Sequence, residues 1–274
     1  MEMQNGKWAV VTSTVASLTK RPDFQSDLLD EVLFGMVVEI IEDASGDWYY
    51  VKTHYDYKGY IHRKNLWIDN EEALKWKEKA DYIVIHNFAD IMGEPKYASY
   101  PIALLTRGAM LQVTNYEEGE WVQVVLPKNQ IGWVRKILVE KKPQQSITKD
   151  ENTFRQKLVD TALLYLGTQY RWGGKSPLGI DCSGLCSMSY MLNGVLIYRD
   201  AVLKEEYMKS IALSEIKPGD LIFFPGHVAM YIGQDKYIHA TSKPGLVCIN
   251  SLNPLDEDYR EELYNEISGI GTIF

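Results

Sequence analysis

Tyr170-Arg171-Trp172-Gly173-Gly174, a Gly/Pro loop over 175–180 and then Asp181-Cys182-Ser183-Gly184-Leu185 form the stretch on which the reading of this chain turns. Residues 185–192 are an apolar run of helical character, so Cys182 falls where a loop enters a helix. The first N–H groups of a helix lack intrahelical partners and carry partial positive charge, which favours a thiolate over a thiol. A free cysteine titrates at about 8.5, and helix N-termini or a nearby imidazolium lower that by several units. Downstream stand His227, in Gly226-His227-Val228-Ala229-Met230-Tyr231, and His239, in Tyr237-Ile238-His239-Ala240. One cysteine and two histidines supply a nucleophile, its base and an orienting group.

Each residue also has a plainer reading. Most free cysteines are small buried hydrophobes. Cys186, among apolar and small neighbours, fits that description, whereas Cys182 follows a charged Asp181 and precedes Ser183-Gly184. Either histidine alone reads as structural. The pair says more, because the two lie twelve residues apart across an expected hairpin in a chain with 5 histidines. Side chains alternate along a strand, so an even separation shares a face only if the loop holds an odd number of residues. A three-residue connection within 233–236 satisfies this and puts His227 on the face of Ala229 and Tyr231.

Around this core, residues 153–166 read as a helix with Leu158, Ala162, Leu163 and Leu166 on its apolar stripe and Gly167 as its stop. Asn193-Gly194 ends the cysteine helix, and Gly219-Asp220 opens strands at 221–224, 228–232 and 237–241, followed by 245–250 and 267–274. Helices followed by antiparallel strands predict an α+β domain.

The N-terminal portion is duplicated. Gly35, Gly46, Trp48, Val51, Gly59 and Ile61 recur as Gly108, Gly119, Trp121, Val124, Gly132 and Val134, at a constant offset of 73. That period is longer than the roughly 20–50 residues of solenoid repeats and predicts two copies of a small domain. Short alternating strands with Gly/Asp turns predict a small all-β barrel or sandwich for each copy. Residues 71–80 have helix-forming composition and bridge the copies, and 141–146 read as a linker.

Length and composition bound the rest. A chain of 274 residues with 46% hydrophobic content can build more than one core, and a net charge of −8 argues against nucleic acid or an anionic membrane as partner. Three cysteines are a poor disulfide framework and suit a reducing compartment. Residues 1–9 lack an apolar core of signal-peptide length and no transmembrane run occurs, so the expected location is cytoplasmic.

The segments YRWGG, DCSGL, PGDLIFF, HVAMYIG and YIHA, in that order, resemble the NlpC-type papain-like cysteine peptidases that cut peptidoglycan stem peptides. Gly-Asp-Trp-x-x-Val followed by Gly-Tyr-Ile resembles the bacterial SH3-like domains of cell-wall enzymes. The resemblance implies SH3-like domains over 1–70 and 81–142, a helical linker over 71–80 and a peptidase domain over 146–274. It implies Cys182 as nucleophile in a thiolate–imidazolium pair with His227 as base, His239 as orienting residue and Tyr170 near the oxyanion. Asp181 and Ser183 correspond to substrate-contacting neighbours of the cysteine, and no metal or organic cofactor is implied. The whole architecture is similar to the γ-D-glutamyl-L-diamino acid endopeptidases that recycle muropeptides, with Arg199-Asp200 matching that group and the residues after them fitting less well. The expected substrate is L-Ala-γ-D-Glu-(diamino acid) with a free amino terminus. In that group an acid and a tyrosine of the first SH3-like domain contact it, and these correspond to Glu31 and Tyr57. The competing readings are a secreted hydrolase of intact peptidoglycan and a wall-binding protein without activity.

Overall fold

The structure is a computed structural model that describes residues 6–143 and 150–274. Of the expected linker at 141–146, Lys141 ends a strand and residues 144–146, with the expected domain start at 146, lie outside the described residues. The chain divides into two compact units, Met1–Lys142 and Pro143–Phe274.

In the N-terminal unit, β1 (Lys7–Val11), β2 (Val15–Thr19), β3 (Leu28–Leu33), β4 (Val37–Ala44), β5 (Trp48–Lys52), β6 (Lys58–His62) and β7 (Leu66–Ile68) form one sheet in the order β3-β2-β6-β5-β4-β1-β7. Helix α1 (Asn70–Lys79) follows, started by Asp69, whose carboxylate accepts from the Glu72 N–H. Next come β8 (Tyr82–Val84), β9 (Phe88–Met92), β10 (Pro101–Thr106), β11 (Met110–Glu118), β12 (Trp121–Leu126), β13 (Gln130–Arg135) and β14 (Val139–Lys141). Their order, β10-β9-β13-β12-β11-β8-β14, is the first with every strand number raised by seven. The sequence offset is thus carried in topology.

The two sheets share packing. Phe34 is buried in the second sheet's core beside Val84, Ile91, Leu105 and Leu111. Its carbonyl accepts from the Met110 N–H at 2.8 Å, and the Trp76 indole of α1 donates to the Gly35 carbonyl at 2.8 Å. Gly35 has φ +78, and a Cβ there would lie 2.0 Å from the Met110 carbonyl oxygen, so close backbone approach and left-handed geometry both demand glycine.

The C-terminal unit begins with α2 (Glu151–Leu163), whose first N–H groups bond to the Asp150 carboxylate. A short hairpin, β15 (Lys175–Ser176) and β16 (Gly179–Ile180), leads into α3 (Cys182–Met191). Then follow β17 (Lys209–Ile211), β18 (Leu221–Phe224), β19 (His227–Gly233), β20 (Lys236–Thr241), β21 (Leu246–Ser251), the short α4 (Glu261–Tyr264) and β22 (Gly269–Thr272). The sheet runs β17-β22-β18-β19-β20-β21, and α3 packs against α2, β19 and β20. Every α3 residue from Cys182 to Tyr190 is buried, as expected of a helix apolar on all sides.

Two expectations need correction. The apolar stripe of α2 runs through Phe154, Leu158 and Ala162 to Tyr165, while Leu163 and Leu166 are exposed. The helix ends earlier than expected, and Tyr165 and Leu166 donate three residues back, to Ala162 and Leu163. That tighter turn rotates Tyr165 into the core. The hairpin between β19 and β20 also differs: its turn is the two residues Gln234-Asp235, both left-handed at φ 53 and 56. The register slips by one residue between Tyr231 and Gly233, so a bulge supplies the odd residue expected of the loop.

Candidate active site

The site is assembled at the first turn of α3. Asp181 is its N-cap, accepting from the Gly184 N–H at 2.6 Å, and Cys182 is the first helical residue. The same carboxylate accepts from the Gly173 N–H at 2.8 Å and from both terminal nitrogens of Arg199 at 3.1 and 3.2 Å. Arg199, 2% exposed, also donates to the Ser183 hydroxyl at 2.7 Å. A Cβ at Gly184 would lie 2.2 Å from the Gly174 carbonyl oxygen. The glycines of the 170–174 loop and of the helix start therefore let the two backbones touch, and the buried ion pair locks them there.

The backbone N–H groups of Ser183 and Val228 favour the thiolate form of Cys182. Val228 directly follows His227, the first residue of β19, so the sheet brings this histidine to the helix start. His227 Nε2 lies 2.8 Å from His239 Nδ1 on β20, and His239 Nε2 lies 2.9 Å from Asn250 Oδ1 on β21. The Asn250 amide nitrogen donates to the Asp258 carbonyl at 2.7 Å. Asn250 did not stand out in the sequence. Its signal is the alternation of β21, where Val247 is buried in the core and Cys248, two residues before Asn250, pairs with His239.

Tyr170 is half-buried, with its N–H donating to the Gly245 carbonyl at 2.7 Å. Burial, then the charges at Cys182 and Asp181, push its phenol up to about 12, so it remains a hydrogen-bond donor near neutral pH. Asp200 is half-buried and lines, with Ser183, Cys186 and Val228, a narrow cavity along α3. The other two expected residues belong to the N-terminal unit. Glu31 lies on β3 and is 3% exposed, and Tyr57 is half-buried with its N–H donating to the Thr53 hydroxyl at 3.0 Å.

Burial works against the expected resting ion pair. Burial and then the Asp181 carboxylate push the Cys182 thiol up to about 11, against the pull of the two N–H groups on its sulfur. Burial, reinforced by His239, holds His227 down to about 4, and burial likewise holds His239 down to about 4. Desolvation disfavours the charged forms of this thiol–imidazole pair, against the pull of the helix terminus on Cys182. Such a pair can attack an electrophilic carbonyl as the imidazole takes the thiol proton.

A profile of the NlpC/P60 family matches residues 167–266, the span that holds every residue of the site in this unit. A Lysinibacillus sphaericus protein named dipeptidyl-peptidase 6 is 43% identical over 270 residues, covering 97% of this chain and 99% of its own. The chain belongs to the NlpC/P60 family. It is a peptidase of the cysteine class. A profile named bacterial dipeptidyl-peptidase Sh3 domain matches residues 18–66, which identifies an SH3-like domain in the first sheet of this NlpC/P60 peptidase. A Bacillus cereus protein named gamma-D-glutamyl-L-lysine dipeptidyl-peptidase is 28% identical over 246 residues, 81% of this chain and 70% of its own. The crystal structure of an NlpC/P60 family protein from Bacillus cereus shares the fold, with TM-score 0.80, 24% identity and coverage of 97% of this chain and 99% of that one.

Proposed function

We propose that this NlpC/P60 peptidase hydrolyses the γ-D-glutamyl–diamino acid bond of released peptidoglycan stem peptides that carry a free N-terminal L-Ala, in muropeptide recycling. The observation that carries the reading is Cys182 at the start of α3, packed against the strand whose first residue, His227, lies 2.8 Å from His239. The relatives named dipeptidyl-peptidase 6 and gamma-D-glutamyl-L-lysine dipeptidyl-peptidase support the choice of bond. The second sheet, which repeats the first sheet's strand order, is read as a second SH3-like domain.

In this mechanism His227 takes the Cys182 thiol proton as the sulfur bonds to the scissile carbonyl carbon. The resulting oxyanion is held by the Cys182 N–H, at a helix position without an intrahelical acceptor, and by the Tyr170 hydroxyl. Collapse breaks the C–N bond and His227 gives its proton to the leaving amine. Water then adds to the thioester, His227 takes the water's proton, and cleavage of the C–S bond returns the thiol. His239 orients His227, and Asp181, Ser183 and Asp200 bound the substrate side of the cysteine.

The test is to incubate the purified chain with L-Ala-γ-D-Glu-(diamino acid), its N-acetylated form and intact sacculi. Release of L-Ala-D-Glu from the free-amine peptide alone is expected, with Cys182→Ala inactive and Cys186→Ala and Cys248→Ala active. Hydrolysis by Cys182→Ala removes the peptidase assignment of this site. Glu31→Gln should raise KM for the free peptide far more than Leu104→Gln, the same change at the equivalent position of the second copy. Equal kcat/KM on free and acetylated peptides removes the recognition of the amine.

A further inference from the structure

The hydrogen bonds that run from His227 away from Cys182 end on a group that cannot change its role. Asn250 Nδ2 lies 2.7 Å from the Asp258 carbonyl oxygen, which only accepts. That contact fixes the amide: with the opposite flip, two acceptor oxygens would face each other at this distance. Oδ1 therefore faces His239, and the Cys248 thiol, 3.6 Å away, donates to the same oxygen. An amide oxygen cannot donate, so His239 Nε2, at 2.9 Å, must carry a proton. In a neutral ring this leaves Nδ1 with a lone pair. His227 Nε2, 2.8 Å from that lone pair, must then carry a proton as well. The remaining ring nitrogen of His227, Nδ1, is left as the base.

We propose that Asn250 is a positioning residue that dictates, through His239, the tautomer in which His227 presents an unprotonated Nδ1. Asn250 and His239 are 9% and 1% exposed, so water has little access with which to replace the missing acceptor and scramble the order. Without a one-way anchor, a pair of neutral imidazoles has two internally consistent arrangements, each satisfying the contact between the rings. In one, His227 Nδ1 accepts a proton. In the other, that nitrogen already holds one and cannot serve as base. The relay thus converts the direction of one peptide carbonyl into the direction of a proton transfer two side chains away. Its catalytic meaning rests on the reading of His227 as general base, while the tautomer assignment itself does not.

The experiment is a long-range ¹H–¹⁵N correlation spectrum of the imidazoles in the ¹⁵N-labelled full chain at neutral pH. Signals of the 5 histidines are assigned by single replacement. The expected wild-type spectrum shows the Nε2–H form for both His227 and His239. Asn250→Leu should populate the Nδ1–H form of both rings, and Asn250→Asp, which keeps an acceptor toward Nε2, should keep the wild-type forms. Alongside this, Asn250→Leu should lower kcat for the free peptide by about 10- to 100-fold, a fraction of what a wrong-tautomer triad loses, with KM changed by less than about twofold. A wild-type spectrum with Nδ1–H on either ring overturns the proposal, even if the leucine variant fails to fold. So does an unchanged tautomer in Asn250→Leu. The spectrum is read without substrate, so a Cys182→Ala enzyme that still cleaves would remove the peptidase reading and leave the tautomers standing.

Discussion

Two buried polar networks flank Cys182, and they are built from opposite kinds of groups. On one side a guanidinium and a carboxylate, Arg199 and Asp181, meet through two contacts of 3.1 and 3.2 Å, joined by Ser183, Gly173, Gly174 and Gly184. On the other, His227, His239 and Asn250 run in single file. In the first network each charged member has a fixed role, since guanidinium only donates and carboxylate only accepts. Its charged members hold a backbone in place and cannot switch between donating and accepting. Each histidine of the second can donate or accept at either nitrogen, so that network can move a proton. It also needs an outside reference to decide which way. The difference separates a clamp from a conduit, and it predicts that stability and turnover respond to different substitutions.

The sharpest way to break the comparison is on the conduit side. His227→Ala should lower kcat for the free tripeptide by about 10²- to 10⁴-fold, the usual cost of losing a general base. Its melting temperature should fall less than that of any clamp variant. Near-normal turnover would remove His227 from the chemistry. On the clamp side, Arg199→Leu strands a buried carboxylate and should cost about 3–5 kcal/mol in urea unfolding. Combining it with Asp181→Asn should recover part of that loss, and a double variant no better than the single one would show that the pair does not act as a unit.

A smaller effect sharpens the role of His239. His239→Gln can still hydrogen-bond His227, so it should exceed His239→Ala by about tenfold in kcat/KM, the worth of one net hydrogen bond. Equal rates would mean that His239 only fills space. The mildest perturbation is pH. With the Cys182 thiol at about 11, its alkylation by iodoacetamide should quicken steadily with pH and show no plateau between about 6 and 9. The neutral His227 needed as base disappears as pH falls through about 4, so the acid limb of kcat/KM should lie near that value. A flat alkylation profile near neutrality would restore the thiolate–imidazolium pair.

Much of this was legible in the residues themselves. The strands of the N-terminal unit follow from alternation and from glycines and tryptophans recurring at 73 residues. Cys182 and the two histidines are marked by their local motifs. The parts that escaped depend on geometry with no short-range signature. Asn250 acquires meaning only once β21 is in register with β20, His239 opposite Cys248. The two-residue turn at Gln234-Asp235 lacks the glycine that advertises left-handed backbone, and its bulge leaves no mark in composition. Leu163 and Leu166 fit a continued helical stripe, and only the early end of α2 turns them outward.

Phe34 carries a lesson for anyone who would treat the N-terminal half as a kit of parts. A duplicated gene segment suggests beads on a string, each transplantable as a tag. Here the first copy has planted an aromatic ring in the second copy's core, and the Gly35 backbone lies so close to Met110 that not even a methyl group fits between them. A fusion cut near residue 80 would leave a greasy plug on one fragment and a vacancy in the other. The portable module is the pair.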